Sequence, residues 1–378
     1  MSLGFSMHGV TRLPLHGGKA PRWLFGRMVK LSRAISEVII DEYGADELLA
    51  RLTDPNWFQA LSCAIGYDWH SSGTTTVTMG AIKEAMNDSG DIFIAGGKGK
   101  TGLKTPQEII QGADLMAMSS RAEPFAEYSR LSAKIDGSMV YDDLGIYHHT
   151  FLFTKNGKWG VVQQGMSRSS NTAVRFQWNS TLLNEKDITD EPHASVSSEL
   201  RRLTVDLTHR DNGWAREASV EALSDYPRIV RELEYPARHH IDPRADIGKK
   251  GLELIRRASD VSPENYRELL MIRGVGRATL RSLAFVSSLI YDKELAQRDP
   301  VAFAYNLGGK DRIPFGINSG TYDSVIAAMD EIIDRADMSK EERYSALRHL
   351  GNQRLLAHQR EDEEKNAGTE NRTREGHF

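Results

Sequence analysis

The sequence predicts an α+β protein: a mixed N-terminal domain with a β-hairpin and small sheet, then an all-helical C-terminal domain. Three observations predict it. Leu24, Met28, Leu31, Ile35 and Val38 repeat with helical period through residues 21–40. Two alternating runs, Gly145–Phe153 and Lys158–Gln164, meet at Asn156-Gly157, the turn pair best suited to a hairpin. From Asn212 onward the pattern is helical, interrupted by Gly274-Val275-Gly276. The expected division is residues 1–208, 212–360 and a polar, disordered tail over 361–378.

Taken in order, Arg12–Pro21 reads as a loop carrying His16, Gly17, Gly18 and Lys19. Pro21–Ile40 reads as an amphipathic helix, and Asp54–Ile65 as a second. Gly66–Gly73 is a polar turn holding Asp68, Trp69 and His70, after which Ser71 or Ser72 caps a helix over Thr74–Met86. Asp91–Ala95 is a strand leading into Gly96-Gly97-Lys98-Gly99-Lys100-Thr101-Gly102-Leu103-Lys104. That loop is no Walker A motif, because Ile94 stands where its first glycine belongs. It reads instead as a contact to backbone phosphate. Thr105-Pro106-Gln107-Glu108 predicts a capping box opening a helix, and another helix runs through Tyr128 to Ile135. Strands follow at the hairpin, at Thr172–Trp178 and at Leu203–Leu207. Asp299–Arg312 is a loop with a third Gly-Gly-Lys, at Lys310.

Composition is that of a globular chain: 378 residues, 40% hydrophobic and 26% charged. No apolar run approaches the ~20 residues that cross a bilayer, so no membrane partner is expected. Cys63 is the single cysteine, which excludes an internal disulfide or a cysteine-built zinc site and suits a reducing cytoplasm. The net charge of −4 hides a segregation. Residues 1–36 hold Arg12, Lys19, Arg22, Arg27, Lys30 and Arg33 and no acid. Lys98, Lys100 and Lys104 are likewise unopposed, whereas the tail carries Glu361-Asp362-Glu363-Glu364. Charge separated this way suits one polyanion-binding side.

Ser262-Pro263 predicts a helix start, and the helix runs into Gly274-Val275-Gly276. The glycines permit a tight turn, Val275 anchors it, and the next helix turns Leu280, Leu283 and Ala284 inward and Arg277 and Arg281 outward. The stretch resembles the helix-hairpin-helix DNA-binding motif. The resemblance implies that the amides of Gly276, Arg277 and Ala278 meet a phosphate, with Arg273, Arg277 and Arg281 adding charge. Such contacts position a duplex without reading its sequence.

Five further strings, Leu13–Pro21, Asp68–Gly73, Gly96–Lys100, Val161–Met166 and Gly308–Asp311, make nearly the whole chain before the tail similar to an uncharacterised family, domain of unknown function 763. The resemblance implies the domain layout and carries no established activity.

Carboxylates with His or Gln converging on one or two divalent ions are the signature of a metal-dependent nuclease. The candidates are Asp68, His70, Asp136, His148 and Gln163, with Asp142, Asp143, His149 and Gln164 nearby and Lys98 or Lys134 assisting. Asp68, Asp136 and His148 are the expected ligands of Mg²⁺ or Mn²⁺. Neighbours in a strand face opposite ways, so only one of His148/His149 and one of Gln163/Gln164 joins a given site. No Asp/Glu-x-Lys follows on the second strand, so a restriction-type site is not indicated, and Arg298-Asp299-Pro300-Val301 does not match a glycosylase aspartate string. The expected function is a DNA-binding protein, a metal-dependent nuclease acting on duplex or branched DNA in repair or processing. A non-enzymatic nucleic-acid binder and a small-molecule enzyme remain alternatives.

Overall fold

The computed structural model describes residues 13–14, 20–67, 72–141, 143–167, 172–183, 187–197, 204–234, 243–298 and 319–350. His16, Lys19, Asp68, His70, Asp142, Lys310 and the tail lie outside them. No helix of the described residues is long and apolar enough to cross a membrane.

The architecture is α+β, as the periodicities predict. Its centre is an antiparallel sheet in the order β1 (Leu13–Pro14), β5 (Thr172–Asn179), β4 (Trp159–Ser167), β3 (Leu144–Thr154), β2 (Ile92–Lys98). A short β6 (Ser195–Ser197) shares the outer edge of β5 with β1. β3 and β4 form the predicted hairpin, with Phe153 opposite Trp159 and Gly157 at φ +84°.

Helices cover both faces. One face packs against α1 (Arg22–Tyr43), α2 (Ala45–Thr53), α3 (Pro55–Ala64) and α4 (Ser72–Met86), joining Ile94, Leu152 and Val162 to Met28, Leu48, Phe58 and Ile82. α12 (Ser319–Arg335) and a helix over 340–350 complete this layer through Met329, Ile333 and Leu350. The other face packs against α5 (Thr105–Leu115) and α6 (Ala122–Ile135), then α7 (Gly213–Ala222), α8 (Tyr226–Glu234), α9 (Pro243–Val261), α10 (Tyr266–Met271) and α11 (Arg277–Tyr291). Phe125, Phe151, Trp178, Leu269 and Leu280 belong to that one core. Each core draws residues from both sides of position 210, so the expected boundary at 208–212 separates neither.

Local chemistry explains most helix ends. Asp54 caps α3 by accepting from the amides of Asn56 and Trp57 at 2.9 Å, with Pro55 at the first position. Three expectations need correction. Thr105 does not cap α5: its hydroxyl donates to Gly102 O at 2.7 Å, and Glu108 accepts from the Gly96 amide at 2.8 Å and pairs with Lys83. Ser262, at φ +52°, follows the last residue of α9, and Asn265 caps α10 by accepting from the Glu268 amide at 3.0 Å. Of Leu203–Leu207, the described part forms only an isolated bridge, Val205 to Gln297, because Asp206 holds a turn by accepting from Thr208.

Candidate functional site

β3 from His148 onward and the facing parts of β4 and β5 lie between two helical layers, so their side chains are buried on both faces. Polar groups there must find partners inside the protein or leave a binding capacity unfilled. The two faces answer this differently.

On the α1–α4 face, one row of residues crosses the sheet. Lys98 is opposite His148, His148 opposite Gln164, Gln164 opposite Arg175 and Arg175 opposite Ser197. Directly opposed residues share a face. His148, Gln164, Arg175 and Ser197 are buried; Lys98, at the end of the row, is exposed. The register between β3 and β4 shifts at Tyr147, an extra residue between Ile146 and His148, and such bulges re-aim side chains. The Tyr147 hydroxyl donates to Gln164 Oε1 at 2.6 Å and also bonds Ser72, the first residue of α4; burial pushes its pKa up to about 12. Arg175 lies over the Phe58 ring, 4.7 Å from its centroid. Among the described residues, both ring nitrogens of His148, the Gln164 Nε2 amide and the Ser197 hydroxyl have no hydrogen-bond partner. Burial, His149 and the ammonium groups of Lys98 and Lys83 push the His148 pKa down to about 3, so its imidazole is neutral at pH 7. An unsatisfied buried polar group costs about 1–3 kcal/mol, which a ligand supplying the missing bonds would recover.

On the opposite face the groups are satisfied among themselves. Asp136 begins a single wide helical turn, Asp136–Val140, after α6. Its carboxylate accepts from Trp178 Nε1 at 2.9 Å, from His193 Nε2 at 2.6 Å and from Gln163 Nε2. Gln163 Oε1 meets His149 Nδ1 at 2.7 Å, and His149 Nε2 meets the Ser129 hydroxyl at 2.8 Å. An amide oxygen can only accept, so Nδ1 carries the proton and Ser129 donates to Nε2. Ser129 is only 1% exposed, and its hydroxyl is spent on His149 Nε2.

Of the expected catalytic residues, Asp136 and Gln163 therefore meet, but with His149. His148 stands on the other face of the sheet, where it cannot ligate the same ion as Asp136. Lys98 lies in the His148 row, its ammonium 6.0 Å from the centre of the Tyr147 ring. Among the described residues no three His, Cys, Asp or Glu side chains gather to hold a metal. Asp68 and His70 lie outside the described residues. Arg175, Tyr147, Ser129, Trp178 and His193 join these groups although no sequence motif singles them out. Arg175 carried no such signal: it alternates with Gln177 and Asn179 in β5, a pattern that reads as a polar, solvent-facing side, and only the second helical layer buries it.

In the hairpin between α10 and α11, Gly274 has φ +95° and Val275 is buried, as a tight anchored turn requires. Gly276 is half-buried and Ala278 exposed, no side chain caps the first turn of α11, and Arg273 is exposed. Arg277 and Arg281 do not face outward. Arg277 donates to Gly137 O at 2.9 Å and to Leu144 O, and Arg281 to Val205 O at 2.8 Å. Those carbonyls belong to the turn after α6, to the first residue of β3 and to the bridge at Val205, so both guanidinium groups dock the helices on the core. Lys134 is spent similarly, donating to Ile272 O at 3.2 Å, Val275 O at 3.3 Å and Leu270 O, with its pKa lowered by burial. Lys134→Met should destabilise the protein by about 1–3 kcal/mol, seen as a lower guanidinium midpoint; an unmoved midpoint would show that the ammonium contributes nothing to docking.

The family described as "Protein of unknown function (DUF763)" matches residues 9–317. No curated protein and no solved structure matches the chain.

Proposed function

Because the chain belongs to the DUF763 family of proteins of unknown function, which brings no activity with it, we propose a function from its own side chains. It binds nucleic acid and hydrolyses phosphodiester bonds at the His148–Gln164–Arg175 row, where Mg²⁺ or Mn²⁺ would be held by the His148 imidazole and by phosphoryl oxygens of the substrate, the row itself carrying no carboxylate. The observation that carries this reading is the buried row itself, whose imidazole and amide have unfilled hydrogen-bonding capacity beside a guanidinium. Guanidinium and amide donors suit phosphoryl oxygens. An imidazole held neutral accepts a proton from water or serves as a nitrogen ligand to a metal. Lys98, Lys100 and Lys104 stand exposed at one end of the row. The first turn of α11, with Arg273 beside it, supplies a second backbone grip of the helix-hairpin-helix kind.

The test incubates purified protein with labelled single-stranded, duplex and branched DNA, in Mg²⁺, Mn²⁺ or EDTA. Cleavage should require the metal and fall about 100-fold or more in His148→Ala and Gln164→Ala, with binding retained. A second reading, a non-enzymatic binder of backbone phosphates, is favoured by the absence of a carboxylate from the row. Tight binding without cleavage under any condition selects it. Neither binding nor cleavage overturns both.

A further inference from the structure

We propose that the loop Lys98–Lys104 is a wedge, in which Leu103 enters a base step of duplex nucleic acid while Lys100 and Lys104 hold the flanking phosphates. The inference rests on the nucleic-acid reading above and adds how the substrate is deformed. Leu103 is 83% exposed, although leucine in a protein of this size has ample core to enter. It lies between Lys100 and Lys104, both exposed, and residues 92–107 contain no acid. Among the described residues neither lysine has an ion pair.

The loop is also built to hold its shape. The Gly99 amide donates to Tyr147 O at 2.7 Å, Lys104 N to Thr101 O at 3.0 Å, and the Thr105 hydroxyl to Gly102 O at 2.7 Å. Gly96 has φ +90°, and a Cβ there would lie 2.2 Å from His149 O and 2.3 Å from Thr105 Oγ1. At Gly102 a Cβ would lie 2.8 Å from Gly97 O. The glycines thus bring backbone against backbone and leave the lysines and one leucine projecting. A pre-formed projection loses little entropy on binding. An apolar side chain flanked by cations is the combination that unstacks and kinks a duplex: the charges bind phosphate and the wedge replaces stacking. The bond from Gly99 to Tyr147 ties the loop to the bulge beside the His148 row.

The experiment uses the full chain and duplexes carrying 2-aminopurine at successive positions beside a strand break. Wild type should raise the fluorescence at one step, and Leu103→Ala should lose that rise with its salt dependence of binding unchanged. Lys100→Ala combined with Lys104→Ala should reduce the log–log salt slope by about two units. No rise with wild type, or an undiminished rise with Leu103→Ala, overturns the wedge. Binding to vesicles of anionic lipid with none to nucleic acid would reassign the loop to a membrane surface and overturns it too. A rise without DNA cleavage retains the wedge and removes the hydrolase reading; cleavage without a rise does the reverse.

Discussion

Asp136→Ala is expected to lower the unfolding free energy by about 3–5 kcal/mol, the cost of breaking a buried charged network from one side. The carboxylate accepts from Gln163, Trp178 and His193, and all of these are buried or nearly so. Removing it leaves three donors without an acceptor in a region that water does not reach. The network also ties the turn after α6 to β4 and β5, so the loss spreads beyond one contact. Guanidinium unfolding followed by tryptophan fluorescence measures the effect. Should Asp136→Ala not accumulate as folded protein, Trp178→Phe provides the milder measure: it deletes one donor and should cost about 1–2 kcal/mol. A loss below about 1 kcal/mol in Asp136→Ala would mean that the network does not hold the sheet to α6.

Acid is expected to weaken the protein well above the range in which carboxylates titrate. Burial holds the pKa of His148 down to about 3 and that of His149 down to about 4, from 6.5. Lys98, Lys83 and His149 lower His148 further, whereas Gln163 and Asp136 partly offset the burial of His149. Below pH 6.5 the unfolded chain takes up two protons that the folded chain refuses, so stability falls as pH falls, down to the folded values. Between pH 7 and 5 the loss should be about 3–4 kcal/mol, roughly 2 per histidine. Denaturant midpoints at the two pH values test it, and His148→Leu should remove about half of the dependence. Equal midpoints at pH 7 and 5 would show that these imidazoles are not held neutral. The same condition bears on the site, because a neutral His148 is the form that can accept a proton or ligate a metal.

The α+β class, the hairpin at Asn156-Gly157, a helix over Asp54–Ile65 and the anchored turn at Gly274-Val275-Gly276 were legible in the sequence alone. Each rests on neighbours within a few residues, where steric limits on glycine and proline and the spacing of apolar side chains act locally. The sequence also determined that His148 and His149, like Gln163 and Gln164, would part to opposite faces. Only the tertiary structure decided which member went where. Every residue of β3 from His148 onward is buried, so a period of two carries no inside or outside, and the layers packed above and below decide the environment. One layer brought Asp136, Trp178 and His193 to His149, while the other left His148 beside Gln164 and Arg175 with its nitrogens unfilled. Arg277 and Arg281 follow the same logic: helical period placed them on one stripe, but the carbonyls of Gly137, Leu144 and Val205 that make the stripe inward come from more than 75 positions away. Contacts between distant segments depend on how the layers pack, and no local pattern encodes them.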